Sequence, residues 1–215
     1  MIENVNKEVK PKLSPLDENL ISVADKLGVQ KGNAMSFEEA DGMKPNPKFR
    51  EGNQYQINCQ SCVVAYELRR RGLDVEAFGN TGKGVPYLLS LETNLIWKDA
   101  EGKVPKKTKV SGIKGVTSRG NIITDKRILQ KNLNEATKET GRYHLTVQWN
   151  KRRGHIFTAE RLNDGTLQIY DPQTGSTECW DRYLKSLDAK YGIGLQRVDG
   201  LFVNLDIVDG VVHKP

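Results

Sequence analysis

Cysteine is scarce in this chain. Three occur in 215 residues, and an odd count cannot complete a disulfide framework, so packing rather than covalent staples must hold the fold together. A reducing compartment suits such a protein. Long hydrophobic runs are missing as well: nothing approaches the roughly 20 apolar residues of a membrane-spanning helix, and no membrane partner is expected. The opening "MIENVNKEVKPKLSPLDENL" mixes charges of both signs and lacks the apolar centre of a signal peptide. Metal-ligand spacing is also wanting. Beyond Cys59 and Cys62 there is no second C-x-x-C pair and no H-x3-H pair, which leaves a zinc site without half its ligands. No metal and no cofactor is expected. Neither internal repeats nor low-complexity segments occur.

What remains is ordinary for a water-soluble domain: 37% hydrophobic and 28% charged residues. The length fits one domain with an appendage. The net charge of +6 is concentrated, because Lys103 to Arg127 carries eight Lys or Arg against one Asp. Such a segment can meet nucleic acid, acidic lipid or an acidic protein. It holds no aromatic side chain to stack on bases, and its plainest reading is a solvated basic loop. Lys103 to Lys114 is the candidate contact for an acidic partner or nucleic acid.

Residues 1–13 read as a frayed tail. "SPLDENLISVADKLG" then spells a helix, with Ser14 as N-cap, Pro15 at the first position, Leu16, Leu20, Val23 and Leu27 at helical spacing, and Gly28 as terminator. Ser36 and Glu39 form a capping box for a short second helix ending at Gly42. Residues 1–33 are expected to be an N-terminal extension with one helix, and 34–215 the main domain. After a helix from Cys59, the segments "DVEAF", "YLLSL" and "NLIWKD" read as strands, followed by a helix from about Asp125 to Thr140 with Ile128, Leu129, Leu133 and Ala136 inside. "RYHLTVQW", "GHIFTAERL" and "TLQIYD" alternate as three strands, with turn signals at "NKRRG" and "NDG". A helix over about Glu178 to Lys190 and a strand near "GLFVNLDIV" close the chain. Helices first and antiparallel strands afterwards indicate an α+β fold, with helices packed on one sheet.

The helix "NCQSCVVAYELRRRG" raises the chemical question. Asn58 is a suitable N-cap, Arg69, Arg70 and Arg71 complement the negative pole, and Gly72 can take the left-handed cap. Cys59, Cys62, Val63 and Tyr66 form one apolar stripe with Cys59 at its open end. Thiolate, not thiol, attacks, and the partial positive charge of a first helical turn favours the thiolate. Cys59 therefore has the position of a nucleophile and Cys62, one turn deeper, that of a packing residue and second candidate. Cys179 is given no role. A nucleophilic cysteine needs a base and a group to orient it. Of the three histidines, His213 lies at the chain end, and His144 alternates onto the face opposite the large apolar residues. His155 opens a strand at its rim and is the best base. Asp171 ends the next strand before Pro172, where a carboxylate can fix the imidazole tautomer. The two share a sheet face only if the intervening loop is three residues, Asn163-Asp164-Gly165; a two-residue turn gives the wrong parity. For the oxyanion, the Cys59 amide and a side chain among Gln54, Gln56 and Asn58 are candidates.

"NCQSCVVAYELRRRG" together with "GHIFTAERLNDGTLQIYDPQTG", and "NPKF" upstream, resembles the papain-fold toxin domains, regarded as glutamine deamidases, of bacterial polymorphic toxins and phage head-associated proteins. The resemblance runs from about Ser36 to Gly175. It implies a papain-like fold in which a nucleophile helix packs on an antiparallel sheet, and a Cys-His-Asp centre carried by Cys59, His155 and Asp171. Gln173, in "DPQTG", would line the site beside Gln56 and Asn58. It implies hydrolysis of a protein amide, with protease, transglutaminase and an inactive binding protein of the same fold as alternatives. The partners implied are a protein with an exposed glutamine or peptide bond, and an immunity protein or phage virion. The setting would be a bacterial cytoplasm, a target cell or a virion, reached without a signal peptide. A dithiol redox module is the weaker reading, because "GNQYQIN" is too polar for the buried strand that should precede it.

Overall fold

The computed structural model of the protein describes residues 12–149 and 154–215. The tail expected over residues 1–13 lies outside them except for its last two residues, as does the turn expected at residues 150–153. In chain order the elements are α1 (Pro15–Leu27), α2 (Phe37–Ala40), α3 (Cys59–Arg70), β1 (Glu76–Ala77), α4 (Gly84–Leu91), β2 (Trp97–Lys98), β3 (Thr108–Val110), β4 (Ile113–Val116), β5 (Ile122–Thr124), α5 (Lys126–Ala136), β6 (Gly141–Gln148), β7 (Gly154–Arg161), β8 (Leu167–Tyr170), α6 (Trp180–Ser186), β9 (Ile193–Arg197), β10 (Phe202–Val203) and β11 (Val212–His213). The fold is α+β, and its strands pair antiparallel.

Local punctuation acts where it was expected. Ser14 Oγ accepts the Asp17 amide at 3.1 Å, and Gly28 closes α1 in the left-handed region at φ 66°. Ser36 and Glu39 make the reciprocal capping box of α2. Gly72 stands at φ 94° just beyond α3, where a Cβ would lie 2.4 Å from the Gly32 carbonyl oxygen. No side chain fits there.

The central sheet has five strands in the order β3-β9-β6-β7-β8. Strand alternation divides its residues between two cores. Tyr143, Leu145, Val147, Phe157, Ala159, Ile193 and Leu195 face Leu129 and Leu133 of α5 and Tyr183 of α6. On the other face Ile156 meets Val63, Val64 and Leu68 of α3. Helices therefore cover both faces rather than one. Because α3 packs on β7 of the sheet and is covered elsewhere by α2, α4, β1 and β11, it is buried on all sides from Gln60 to Arg69. Each large aliphatic side chain interred there contributes roughly 1.5–3 kcal/mol.

A helix so enclosed must pair its charges. Glu67 accepts Arg71 Nε at 2.7 Å and Arg142 Nε at 2.7 Å, and Arg70 holds Glu160 across the sheet. Arg69 pairs with Asp74. These arginines do sit in the last turn of α3 and at its cap, but each is committed to particular partners rather than only to the helix pole.

Several expectations need correction. Helix α1, expected in an N-terminal extension, is docked on the rest of the chain: Leu20, Val23 and Ala24 lie in the same core as α3, and Asn19 exchanges two hydrogen bonds with Val203. "YLLSL" belongs to helix α4, not a strand. Pro86 suits a first helical turn, and Val85 and Leu89, four residues apart, both pack on the core while Tyr87, Leu88 and Leu91 face solvent. "NLIWKD" begins as a 3-10 turn over Thr93–Ile96 before β2. The helix expected to reach Thr140 ends at Ala136, and the one over Glu178 to Lys190 spans only α6. Strand β9, which lies between β3 and β6, falls in a stretch to which the sequence assigns no element, and β3, β4 and β5 lie in the segment expected to be loop. No helix among the described residues is long and apolar enough to cross a membrane.

Candidate active site

The β7–β8 hairpin sets the site. Its register pairs Thr158 with Tyr170 and Arg161 with Leu167, and Leu162 bonds to Thr166 at 2.9 Å. Three residues, Asn163-Asp164-Gly165, are left for the loop, with Gly165 left-handed at φ 85°. The parity places His155 and Asp171 on one face, a diagonal step apart. His155 Nε2 bonds to Asp171 Oδ2 at 3.0 Å. Nδ1 remains for exchange with a sulfur.

Asp171 is fully buried and heavily served. Its Oδ1 accepts the Gln173 amide at 3.0 Å, and the Tyr183 hydroxyl donates to its Oδ2. Burial opposes its charge, but His155, Tyr183 and the Gln173 amide outweigh burial and hold the carboxyl below its ordinary range. For His155, burial likewise disfavours the charged form; bonds to Asp171 and to the Cys59 sulfur prevail and push it up to about 10. An imidazolium beside a sulfur at neutral pH is the arrangement that keeps a thiolate available.

Cys59, in the first turn of α3, is half-buried and lines a cleft of about 670 Å3 together with His155, Gln60, Gln56 and Gln173. Cys62 is sealed in the core. Burial first, and then the nearby Cys59 and Asp171, push its thiol up. The other histidines do not reach the cleft. His144 is buried on the opposite face against Trp97 and is held by burial at about 4, hence neutral. His213 is paired in β11 with Glu76 rather than frayed. Cys179 is buried in the core beneath α6.

The expected amide donors separate. Asn58 makes no side-chain cap; it is fully buried, donating Nδ2 to Asn46 Oδ1 at 3.1 Å and to the Phe78 carbonyl at 3.2 Å, and accepting Gln173 Nε2 at 3.2 Å. An amide so committed beneath the cleft floor cannot donate to an oxyanion, which corrects its assignment. Gln173 reaches the cleft wall, but its amide nitrogen is likewise given to Asn58. Gln54 lies against Gly52 and Gly79. Gln56 stays on the cleft rim, its nitrogen held by one long bond of 3.4 Å to the Phe49 carbonyl. With the first-turn amide of Cys59, which has no acceptor within its own helix, Gln56 is the donor available.

Four contributors escaped the sequence reading. Tyr183 anchors Asp171 and meets the His155 ring edge-on at 5.4 Å; Trp149 stacks on the same ring at 5.8 Å and touches Tyr183 at 5.2 Å, so the three rings form one cluster. Gln60 accepts the Cys59 thiol at 3.6 Å and donates to the Pro86 carbonyl of α4 at 2.7 Å. Asn46 ties Asn58 to the Gln173 carbonyl. The spacing of Cys179, Tyr183 and Leu187 does mark one helix face, but nothing local shows which sheet face it covers. Among the described residues no three of His, Cys, Asp or Glu converge as metal ligands, and the three cysteines are free thiols.

Comparison with protein-family models, curated proteins and solved structures returned no match to this chain.

Proposed function

We propose that the protein is a papain-like cysteine amidohydrolase whose substrate is the side-chain amide of a protein glutamine. The observation that carries this reading is the 3.0 Å bond from His155 to buried Asp171, with Cys59 facing the same imidazole across an open cleft. Cys59 thiolate attacks the amide carbon, and the Cys59 amide and Gln56 receive the oxyanion. The His155 imidazolium protonates the amide nitrogen of that intermediate, the C–N bond breaks, and ammonia leaves a thioester on Cys59. Water, deprotonated by His155, then resolves the thioester to glutamate and restores the thiolate. Asp171, fixed by Tyr183 and the Gln173 amide, orients the ring throughout. The choice of a glutamine amide over a peptide bond rests on the resemblance of the Cys59 helix and the His155–Asp171 hairpin to toxin-domain deamidases, as does the setting in a bacterial or phage effector.

Two measurements test the reading. Iodoacetamide at mildly acidic pH should alkylate Cys59 much faster than a free cysteine; alkylation at the free-cysteine rate contradicts an activated thiol. Incubation of cell extract with the protein, but not with its Cys59→Ala variant, should raise substrate peptides by about one dalton as amide becomes acid. New peptide termini would instead identify a protease.

A further inference from the structure

The basic segment is not the loop its composition suggests. β4 and β5 form a separate two-stranded ribbon, with Val116 opposite Ile122 and Ile123 opposite Gly115. At its base Gly112 brings the chain so close to α5 that a Cβ would sit 2.9 Å from Leu129 Cβ. Farther out the ribbon is uncovered. Ile113, Val116, Ile122 and Ile123 are 39%, 62%, 43% and 44% exposed. Single exposed aliphatics are ordinary, but Val116 and Ile122 are cross-strand partners on one face of the ribbon, with Ile123 on the other, and a lone two-stranded ribbon is marginal in water. Lys114 lies within it, Arg119 in its turn and Lys109 in β3 just before it, all exposed. The segment's ion pairs among the described residues are Lys107 with Glu92 and Arg127 with Asp125, which leave those three cations out.

These features select the occupant. A second copy would set the same cations against one another on a chain of net charge +6. Nucleic acid and lipid interfaces favour aromatic side chains, and none occurs between Trp97 and Tyr143. β-branched aliphatics on a pleated ribbon, with one hydrogen-bonding edge open on each strand, suit another strand. We infer that the β4–β5 ribbon binds an acidic protein segment, alternating carboxylate and aliphatic residues, as a third strand. Its aliphatic residues cover Val116 and Ile122, and its carboxylates meet Lys114 and Arg119. The inference is independent of any activity at Cys59.

The test uses a short synthetic peptide alternating glutamate and valine, followed by methyl NMR of the full chain. Methyl signals of Ile113, Val116, Ile122 and Ile123 should shift on titration, and raised salt should weaken binding. Replacing Val116 and Ile122 by threonine, which keeps strand propensity, should weaken it about tenfold without changing the thermal midpoint. Equal binding of a glutamate-serine peptide would overturn the inference, as would a stronger response to phosphatidylserine vesicles or duplex DNA. Self-association through the ribbon, seen by sedimentation, would overturn it too.

Discussion

Replacing Asp171 by asparagine removes one charge from the end of β8 and leaves the side-chain volume nearly unchanged. The asparagine oxygen can still accept the Gln173 amide, and Tyr183 and Trp149 still pack against the ring of His155. What disappears is the carboxylate that keeps His155 protonated. Burial acts against the imidazolium, so without Asp171 its pKa should fall from about 10 to 6.5 or below. A full return to the ordinary value would weaken the charged form by about 5 kcal/mol, or roughly three-thousandfold. The Cys59 sulfur supplies part of the rise; at pH 7.5 a ring near 6.5 is only about one-tenth charged whereas the wild-type ring is charged, so Cys59 alkylation should slow about tenfold there. Stability should respond with a definite sign. The folded-state value lies above the unfolded one, so the contribution is full below about pH 6.5 and drains away as pH rises through about 10. The gap between wild type and Asp171→Asn in chemical denaturation should narrow over that window. Two-dimensional NMR of the imidazole would follow His155 directly. A variant whose His155 still titrates near 10, or whose Cys59 alkylates at the wild-type rate, would refute the charge argument.

Tyr183→Phe keeps the ring against His155 and deletes only the hydroxyl bound to Asp171. It should cost about 1–2 kcal/mol in chemical denaturation and slow alkylation of Cys59 about tenfold. The cysteines should part company: Cys59→Ala abolishes amide hydrolysis, whereas Cys62→Ala retains it and loses only about 1–2 kcal/mol of packing, measured by turnover and unfolding side by side. Glu67→Gln leaves Arg71 and Arg142 without their buried counter-charge and should lower stability by about 3–5 kcal/mol at neutral pH. Burial opposes the Glu67 charge, but the arginines win and hold it at about 2, so its contribution is complete above about pH 4.5 and is lost as pH falls through 2; the variant's deficit should shrink there. Gly72→Ala should cost more than Gly32→Ala in thermal melts, because a Cβ at Gly72 meets a carbonyl oxygen at 2.4 Å whereas one at Gly32 stays at 3.5 Å.

The candidate site was legible to the extent that its signals are local. Cys59 at a helix start, His155 at a strand start and Asp171 before a proline can each be picked out within a few residues. The link between the last two follows from loop parity, a property of three consecutive residues. Asn58 misled because asparagine before a helix has an ordinary use as a cap, and only the approach of Asn46 and Gln173 from distant parts of the chain turns its amide inward. "YLLSL" misled for a related reason: a short apolar run fits either period until its neighbours decide which side chains are covered. Strand β9 went unrecognised because "GIGLQR" has too few alternating positions to stand out from a connection.

By itself the sequence determined the caps of α1 and α2, the alternation of β6 to β8, the three-residue hairpin loop and hence the shared face of His155 and Asp171. These depend on backbone preferences and periodicities that act over a handful of residues. Tertiary structure decided what those elements meet: α3 enclosed on all sides, Tyr183 and Trp149 packed together against the imidazole, Gln60 tied to α4, and the basic segment raised into an apolar ribbon. Such contacts join positions tens of residues apart, and they are fixed by which surfaces can be buried together, a property of the whole chain rather than of any stretch within it.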